Sequence, residues 1–281
     1  MYNNRLVIKM IKLIALDLDG TLLTPEKTIS DKTRNALIEL QKQGIKLILA
    51  SGRPTPGLFN EAKKLKMNEY YGYLLSYNGA ALHVYDSMEV LHSQTLTKDQ
   101  AHRIIEHGHK YSQMTMMTYN DHTLLCENVS AYRVLPEAKM CRIGVEQVQN
   151  LHMAMSFDPF KFLFAIEPEK MNELEEEFKK PFEDELSMVL STPYYMEVMN
   201  KGISKGKTLH KLLDILHLKP ENLMAFGDGQ NDLEMLKMAG ISVCMGNGDP
   251  LCKEVADFVT LRNDEDGIAH AIEHFKKEGL L

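Results

Sequence analysis

Four short apolar runs, each ending in polar residues or glycine, constrain the fold of this chain more than any other feature. They are KLIALDLDG, IKLILASGR, YLLSYNG and NLMAFGDG. Segments with helical spacing follow the first two: one is predicted to have Ser30 as its N-cap and Gly44 at its C-terminal end, and the other to run from Pro54 to Leu65. A continuous apolar run of this length is typical of a strand that is buried on both faces of a parallel sheet. The alternation of strands and helices therefore predicts a doubly wound, mainly parallel α/β sheet.

The alternation is interrupted between residues 87 and 199. A helical segment, paired strands and the acidic stretch MNELEEEFKK follow one another there, and this order favours a separate α+β unit. We predict a catalytic core made of residues 10–86 and 200–281, with an α+β domain of residues 87–199 inserted into it. Residues 1–9 are assigned to an N-terminal tail.

Composition and charge exclude several classes of protein. The 281 residues include 39 acidic and 32 basic ones, which gives a net charge of −7 and disfavours a surface for nucleic acid or anionic membranes. The four cysteines lack the spacing of a metal site. The first ten residues lack the apolar core of a signal peptide. We expect a cytoplasmic protein without a nucleic-acid or membrane partner, either a monomer or a small homo-oligomer.

The stretch KGISKGKT, residues 201–208, comes close to the phosphate-binding loop of nucleotide hydrolases. Three residues separate Gly202 from Gly206, whereas that loop needs four so that its backbone N–H groups can surround the phosphates. The spacing disfavours P-loop ATP hydrolysis. We assign a phosphate-handling role to Lys205 and none to Lys207.

Polar residues follow the predicted strands at their carboxyl ends, where open α/β sheets bind ligands. Carboxylates crowded at one sheet edge repel each other, and a hard divalent cation relieves that repulsion. Oxygen ligands without a neighbouring histidine or cysteine favour magnesium. The polar residues form four groups: Asp17 with Asp19; Ser51 with Arg53; Lys205; and Asp228 with Asn231 and Asp232.

This set of residues is suited to phosphoryl transfer. A carboxylate such as Asp17 can attack phosphorus and form an acyl phosphate. Asp19, two residues later, can protonate the leaving oxygen and then deprotonate water, a role that contributes about 10²–10⁴ in rate. Ser51, the loop N–H groups and Lys205 can stabilise the phosphoryl oxygens.

The motifs DLDGTLL, ASGR, KGISKG and GDGQND, in this order and at this spacing, resemble those of the haloacid dehalogenase superfamily. The segment MGNGDPLCKEVADFVT and the large insert resemble its Cof-type, subfamily IIB sugar-phosphatase branch, which carries a C2B cap domain. The resemblance covers nearly the whole chain after Met10. It implies a magnesium-dependent phosphatase acting on small phosphorylated metabolites, sugar phosphates above all, with a mobile cap that supplies most specificity contacts.

The resemblance also implies a role for each matching residue. Asp17 is the nucleophile and a metal ligand, Asp19 is the acid/base and reaches the metal through its backbone carbonyl, and Asp228 binds the metal directly. Asp232 orients the lysine or a water molecule held by the metal. The residues implied to contact phosphate or lie near the substrate are Ser51, Gly52, Arg53, Asn78, Lys205 and Asn231.

Two other functions stay open at this point. A phosphomutase on the same fold returns the phosphoryl group to a rotated intermediate instead of to water, and the motifs do not separate it from a phosphatase. A non-hydrolytic protein that binds a phosphorylated ligand is a different class. It is disfavoured because a pure binding protein needs no second carboxylate beside the nucleophile.

Overall fold

The computed structural model describes residues 11–120 and 122–281, so the predicted tail lies outside the described residues. Within those ranges, none of the helices has the length and apolarity that crossing a lipid bilayer requires. The chain divides into two compact units. The first contains the residues up to Gly52, Leu58–His92 and Ser204–Leu281, and the second contains Arg53–Gly57 and Ser93–Ile203.

An eight-stranded, mainly parallel sheet forms the centre of the first unit, which confirms the predicted doubly wound α/β class. Across the sheet the order is β14 (Phe258–Val259), β13 (Ile241–Cys244), β12 (Leu223–Gly227), β1 (Leu13–Leu16), β2 (Lys46–Ala50), β3 (Tyr73–Ser76), β4 (Ala81–Val84) and β5 (Val90–Ser93). Strand β1 lies inside the sheet and pairs in parallel with β2 on one side and β12 on the other, while β3 and β4 pair antiparallel.

Helices cover both faces of this sheet, and the strand sequence explains why. Ile14 and Leu16 of β1 pack in one hydrophobic cluster, whereas Leu13 and Ala15 pack in another. Alternate residues of a strand point to opposite faces, so a strand covered on both sides must be apolar throughout. The helices of the unit are α1 (Asp31–Lys42), α2 (Phe59–Lys64), α7 (Lys205–Ile215), α8 (Leu233–Met238), α9 (Pro250–Val255) and α10 (Gly267–Lys277).

Helix α1 begins and ends where the sequence predicts. The Ser30 hydroxyl accepts a hydrogen bond from the backbone N–H of Thr33 at 3.2 Å. Gly44, just beyond the helix, has φ +91°, a conformation that glycine adopts without the strain of a Cβ atom. By contrast, the helix predicted from Pro54 to Leu65 is a 3₁₀ turn at Thr55–Leu58 followed by the short helix α2.

The second unit is an α+β structure. Its helices α3 (Lys98–Gly108) and α6 (Pro168–Lys179) bury Ile104, Ile105 and Phe178 in a cluster that also contains Phe162 and Phe164 of strand β9 (Lys161–Ala165). The sheet order is β10 (Leu186–Thr192), β11 (Tyr195–Asn200), β9 (Lys161–Ala165), β6 (Thr115–Tyr119), β7 (Thr123–Cys126) and β8 (Gly144–Gln147), and only the β7–β8 pair is parallel. The helices are α3 (Lys98–Gly108), α4 (Val134–Cys141), α5 (Leu151–Ala154) and α6 (Pro168–Lys179).

Candidate active site

Three predicted acidic residues meet at the carboxyl edge of the parallel sheet in the first unit. Asp17 directly follows β1, and Asp228 directly follows the neighbouring strand β12. One carboxylate oxygen from each of Asp17, Asp228 and Asp232 lies within 4.8 Å of the others. We call these three residues the carboxylate cluster.

Lys205 is the cation of this cluster. Its Nζ lies 2.6 Å from Asp17 Oδ1 and 2.6 Å from Asp232 Oδ1, and the residue is only 1% exposed. Each contact is a charge-assisted hydrogen bond, which is stronger than a bond between neutral groups. A buried ammonium held by two carboxylates has a fixed position, which is what a phosphate-binding lysine requires.

The loop after β3 holds the start of α7, where Lys205 is located. Thr208 donates its hydroxyl hydrogen to the backbone oxygen of Gly79 at 2.7 Å. Gly79 has φ +105°, and a Cβ atom on it would lie 2.5 Å from the backbone oxygen of Ser204. Only glycine allows this close approach. The loop and the first turn of α7 are therefore packed backbone against backbone.

Burial and mutual repulsion set the protonation of the site. Burial raises the pKa of Asp17 well above its usual value, and although Lys205 opposes this effect, Asp232 and Asp228 add to it. Burial also raises the pKa of Asp228, despite a 2.7 Å hydrogen bond from the Thr21 hydroxyl. For Lys205, burial alone would lower the pKa, but the two carboxylates outweigh it and the pKa is raised. Three carboxylates thus share one ammonium.

The donor set fits a divalent cation. The carboxylate cluster, which within residues 11–120 and 122–281 includes no histidine or cysteine, has the ligand chemistry of hard cations. Asp232 is already engaged through both oxygens, since Oδ1 contacts Lys205 and Oδ2 accepts the N–H groups of Asp228 and Gly229 at 3.0 Å. This leaves Asp17 and Asp228 with the greater capacity to bind a metal.

The side chain of Asp19 has a different environment. Its carboxylate accepts a hydrogen bond from Lys27 Nζ at 2.7 Å, and both side chains are partly exposed. It is absent from the carboxylate cluster formed by the described residues. The predicted acid/base role and the metal contact through the backbone carbonyl of Asp19 stay predictions.

Four of the residues predicted to contact phosphate or substrate lie together in the first unit. Ser51 directly follows β2 and is buried, and its backbone oxygen accepts the Asn78 N–H at 2.9 Å. The Asn78 side chain accepts a hydrogen bond from Asn231 Nδ2 at 3.1 Å. A Cβ atom on Gly52 would lie 3.1 Å from the Asn78 side chain. Their contacts with substrate stay predictions.

Arg53 and Lys207 differ from these residues. Arg53 is buried and begins the short segment Arg53–Gly57 of the second unit, and its substrate contact stays a prediction. Lys207 is exposed, and its backbone N–H donates to the Ser204 hydroxyl, which caps α7. This N–H therefore serves the helix cap instead of a phosphate-binding loop.

Two further residues support the site and had no role in the sequence prediction. Thr21 donates to Asp228 Oδ1 at 2.7 Å, and Asn247 donates its side-chain N–H to the backbone oxygen of Gly20 at 2.8 Å. Thr21 belongs to the motif DLDGTLL, so the motif itself could have identified Thr21 as a residue of the site. Asn247 is 227 residues from Gly20, and no local pattern links them.

We expect Gly20→Ala to weaken both metal binding and turnover. A Cβ atom at Gly20 would lie 2.2 Å from Asp228 Oδ2, and its φ of +91° strains any other residue. Asp228 must then move or the turn must deform, at about 1–3 kcal/mol. Metal affinity measured by calorimetry should fall. Gly44→Ala is the matched control, because Gly44 has the same φ but open space around its Cβ position. An equal loss of metal affinity in Gly20→Ala and Gly44→Ala would contradict the proposed clash with Asp228.

We expect Lys205→Met to destabilise the protein when metal is absent. Removing one partner of a buried ion pair leaves charge uncompensated and costs about 3–5 kcal/mol, which urea unfolding in EDTA would measure. Combining Asp17→Asn with Lys205→Met should recover part of this loss, because one unpaired carboxylate is then neutral. Strict additivity of the two substitutions would show that the 2.6 Å contact contributes nothing to stability.

Comparison with known proteins agrees with this geometry. The sequence pattern of the haloacid dehalogenase-like hydrolases matches residues 14–272. The 5-amino-6-(5-phospho-D-ribitylamino)uracil phosphatase YcsE of Bacillus subtilis is 35% identical over 267 residues, with 94% of this chain and 96% of YcsE covered.

Two solved structures share the fold. A haloacid dehalogenase-like hydrolase from Bacteroides thetaiotaomicron is 36% identical with a TM-score of 0.91, and the match covers 94% of this chain and 99% of that one. A sugar phosphatase of subclass IIB is 26% identical with a TM-score of 0.79, over 96% of this chain and 100% of that one. The resemblance seen in the four motifs is confirmed. This chain belongs to the haloacid dehalogenase-like hydrolases and is a phosphatase of that family.

Proposed function

We propose that this phosphatase hydrolyses phosphomonoesters of small metabolites, most favourably sugar phosphates, with Mg²⁺ and through a phospho-Asp17 intermediate. The observation that carries the proposal is the buried contact of Asp17 with Lys205 at the sheet edge, beside Asp228. Two relatives support the substrate class. One is named for a phosphoribitylamino substrate and the other is described as a sugar phosphatase.

The reaction has two halves. In the first, the Asp17 carboxylate attacks phosphorus, the bond from phosphorus to the leaving oxygen breaks, and Asp19 donates a proton to that oxygen. In the second, Asp19 accepts a proton from water as the water oxygen attacks phosphorus. The bond between Asp17 and phosphorus breaks, and phosphate leaves with the Asp17 carboxylate restored.

The other residues offset the negative charge of the site and position the phosphoryl group. Asp17, Asp228 and the backbone carbonyl of Asp19 would hold Mg²⁺, which when bound offsets the negative charge of the carboxylates and the phosphoryl group. Lys205 donates hydrogen bonds to phosphoryl oxygens, and Asp232 keeps its ammonium in place.

Ser51, Gly52 and Asn231 extend the phosphate site. The Ser51 hydroxyl, the backbone N–H of Gly52 and the side-chain amide of Asn231 donate hydrogen bonds to the remaining phosphoryl oxygens. We assign Asn78 and Arg53 to substrate contact. The first unit then acts as the catalytic core, and the second unit acts as the cap that selects the substrate.

A panel of phosphorylated sugars and other small metabolites tests the reaction type. The purified protein is incubated with each compound and Mg²⁺, and free phosphate and the organic product are both measured. We expect free phosphate and dephosphorylated product in equal amounts. An isomeric phosphate with little free phosphate would identify a mutase instead, and binding without turnover would identify a regulatory protein.

A further inference from the structure

A surface groove of about 600 Å³ lies along α7 and α8 of the first unit. A Cβ atom on Gly206 would lie 2.6 Å from the Cβ of Glu234, so the two helices are in close contact beneath it. The base of the groove is therefore formed by two closely packed helices. It is lined by Gly206, Lys207, His210, Lys211, Glu234, Lys237 and Met238, and we call it the lysine groove.

The three lysines of this groove are not neutralised by acidic partners. Across residues 11–120 and 122–281, no carboxylate lies within ion-pair distance of Lys207, Lys211 or Lys237. Lys211 instead has another base as its neighbour, since its Nζ lies 3.2 Å from His92 Nε2. Burial, aided by the charge of Lys211, lowers the pKa of His92. The lysines thus form a local excess of positive charge.

Glu234, which lines the groove, and Asp214, which lies beside the groove residue His210, each have another partner. Glu234 accepts a hydrogen bond from the Ser204 hydroxyl, which leaves it only part of its acceptor capacity. Asp214 lies 3.3 Å from His210 Nδ1. The groove lining therefore contains three lysines and one carboxylate, on a chain whose net charge is −7.

The position of Lys207 on α7 is unfavourable for the helix itself. It lies in the first turn of an 11-residue helix that has no acidic residue in that turn. The helix N-terminus carries partial positive charge, so a cation there is destabilising. Neither the helix dipole nor an ion pair accounts for Lys207, whereas an anionic ligand would.

We propose that the lysine groove binds a small anion that carries at least two phosphate groups. Ammonium groups make strong charge-assisted hydrogen bonds with phosphate oxygens, and lysines from two helices can contact two phosphates at once. The net charge of −7 disfavours a long polyanion such as nucleic acid. This site is additional to the proposed active site, whose lysine is buried.

Calorimetric titration with methylenediphosphonate, which has no hydrolysable phosphoester, tests this proposal. The titration is done in EDTA at low ionic strength, with wild type and with the triple variant Lys207→Gln, Lys211→Gln, Lys237→Gln. We expect the variant to lose one binding event or to bind at least about tenfold more weakly. Its release of phosphate from an aryl phosphate should stay within about twofold of wild type, which separates this proposal from that of the active site.

A second triple variant controls for net charge. Lys32, Lys42 and Lys66 are exposed and each has a carboxylate within ion-pair distance, so their replacement by Gln removes the same charge without touching the groove. We expect diphosphonate affinity to stay within about twofold of wild type. Equal weakening in both triple variants, no weakening in either, or binding of a DNA oligonucleotide but not of diphosphonate would overturn the proposal.

Discussion

Asp17→Asn should abolish phosphate release from every substrate that the wild-type protein hydrolyses, with kcat lower by about 10⁴-fold or more. The amide that replaces the carboxylate is nearly isosteric but cannot form an acyl phosphate. It also weakens the 2.6 Å contact with Lys205, because that contact then lacks a second charge. Release of phosphate from an aryl phosphate with Mg²⁺ measures the effect directly.

A matched variant separates the loss of the nucleophile from the loss of one negative charge. Asp214→Asn makes the same substitution at an exposed position on α7, where the carboxylate lies 3.3 Å from His210 Nδ1. We expect its kcat to stay within about twofold of wild type. If Asp17→Asn kept more than about a hundredth of wild-type activity while circular dichroism showed a folded protein, a phospho-Asp17 intermediate would be excluded.

Removal of the metal should have an effect of comparable size. Three carboxylates share a single buried ammonium in the cluster, and that excess charge opposes the approach of a phosphate dianion. EDTA should lower phosphate release by about 10³-fold or more, since both the attacking carboxylate and the phosphoryl oxygens lose their counter-charge. Added Mg²⁺ should restore it, and Zn²⁺ should do so less well because the ligands are all hard oxygens.

Thermal unfolding gives a second readout of the same site. A ligand at 100 times its Kd stabilises the folded state by about 2.7 kcal/mol, so Mg²⁺ should raise the unfolding temperature of wild type. Asp228→Asn removes one of the two carboxylates with most capacity for the metal and should reduce that rise, whereas Asp214→Asn should not. Phosphate release that is insensitive to EDTA, or an equal thermal response in both variants, would argue against a metal at the carboxylate cluster.

The fold and the acidic part of the site could be predicted because they depend on local patterns. An apolar run such as LIAL fixes a strand buried on both faces, and the residue that follows it, Asp17, must then lie at the sheet edge. The same reasoning applied to LMAFG places Asp228 at that edge. Because β1 and β12 are parallel neighbours, their carboxyl ends lie at the same edge of the sheet and bring Asp17 and Asp228 together.

Other parts of the site depend on contacts that no local pattern contains. Asn247 donates a hydrogen bond to the backbone oxygen of Gly20, and Lys205 donates to two carboxylates, Asp17 and Asp232, from different loops. The predicted helix from Pro54 is another example, because its first part is a 3₁₀ turn in a segment that belongs to the second unit. Tertiary packing decides such features, and helical propensity over a few residues does not.

The separation along the chain between Asp17 and Lys205 has a consequence for protein synthesis. The two residues are 188 positions apart, and Asp228 is 207 positions from Thr21. A ribosome that has translated the strands before the insert has produced Asp17 but not Lys205, Asp228 or strand β12, which pairs with β1 on the side opposite β2. The growing chain therefore lacks part of the proposed active site until β12 and the loop after it have emerged, so we expect enzyme activity only late in translation.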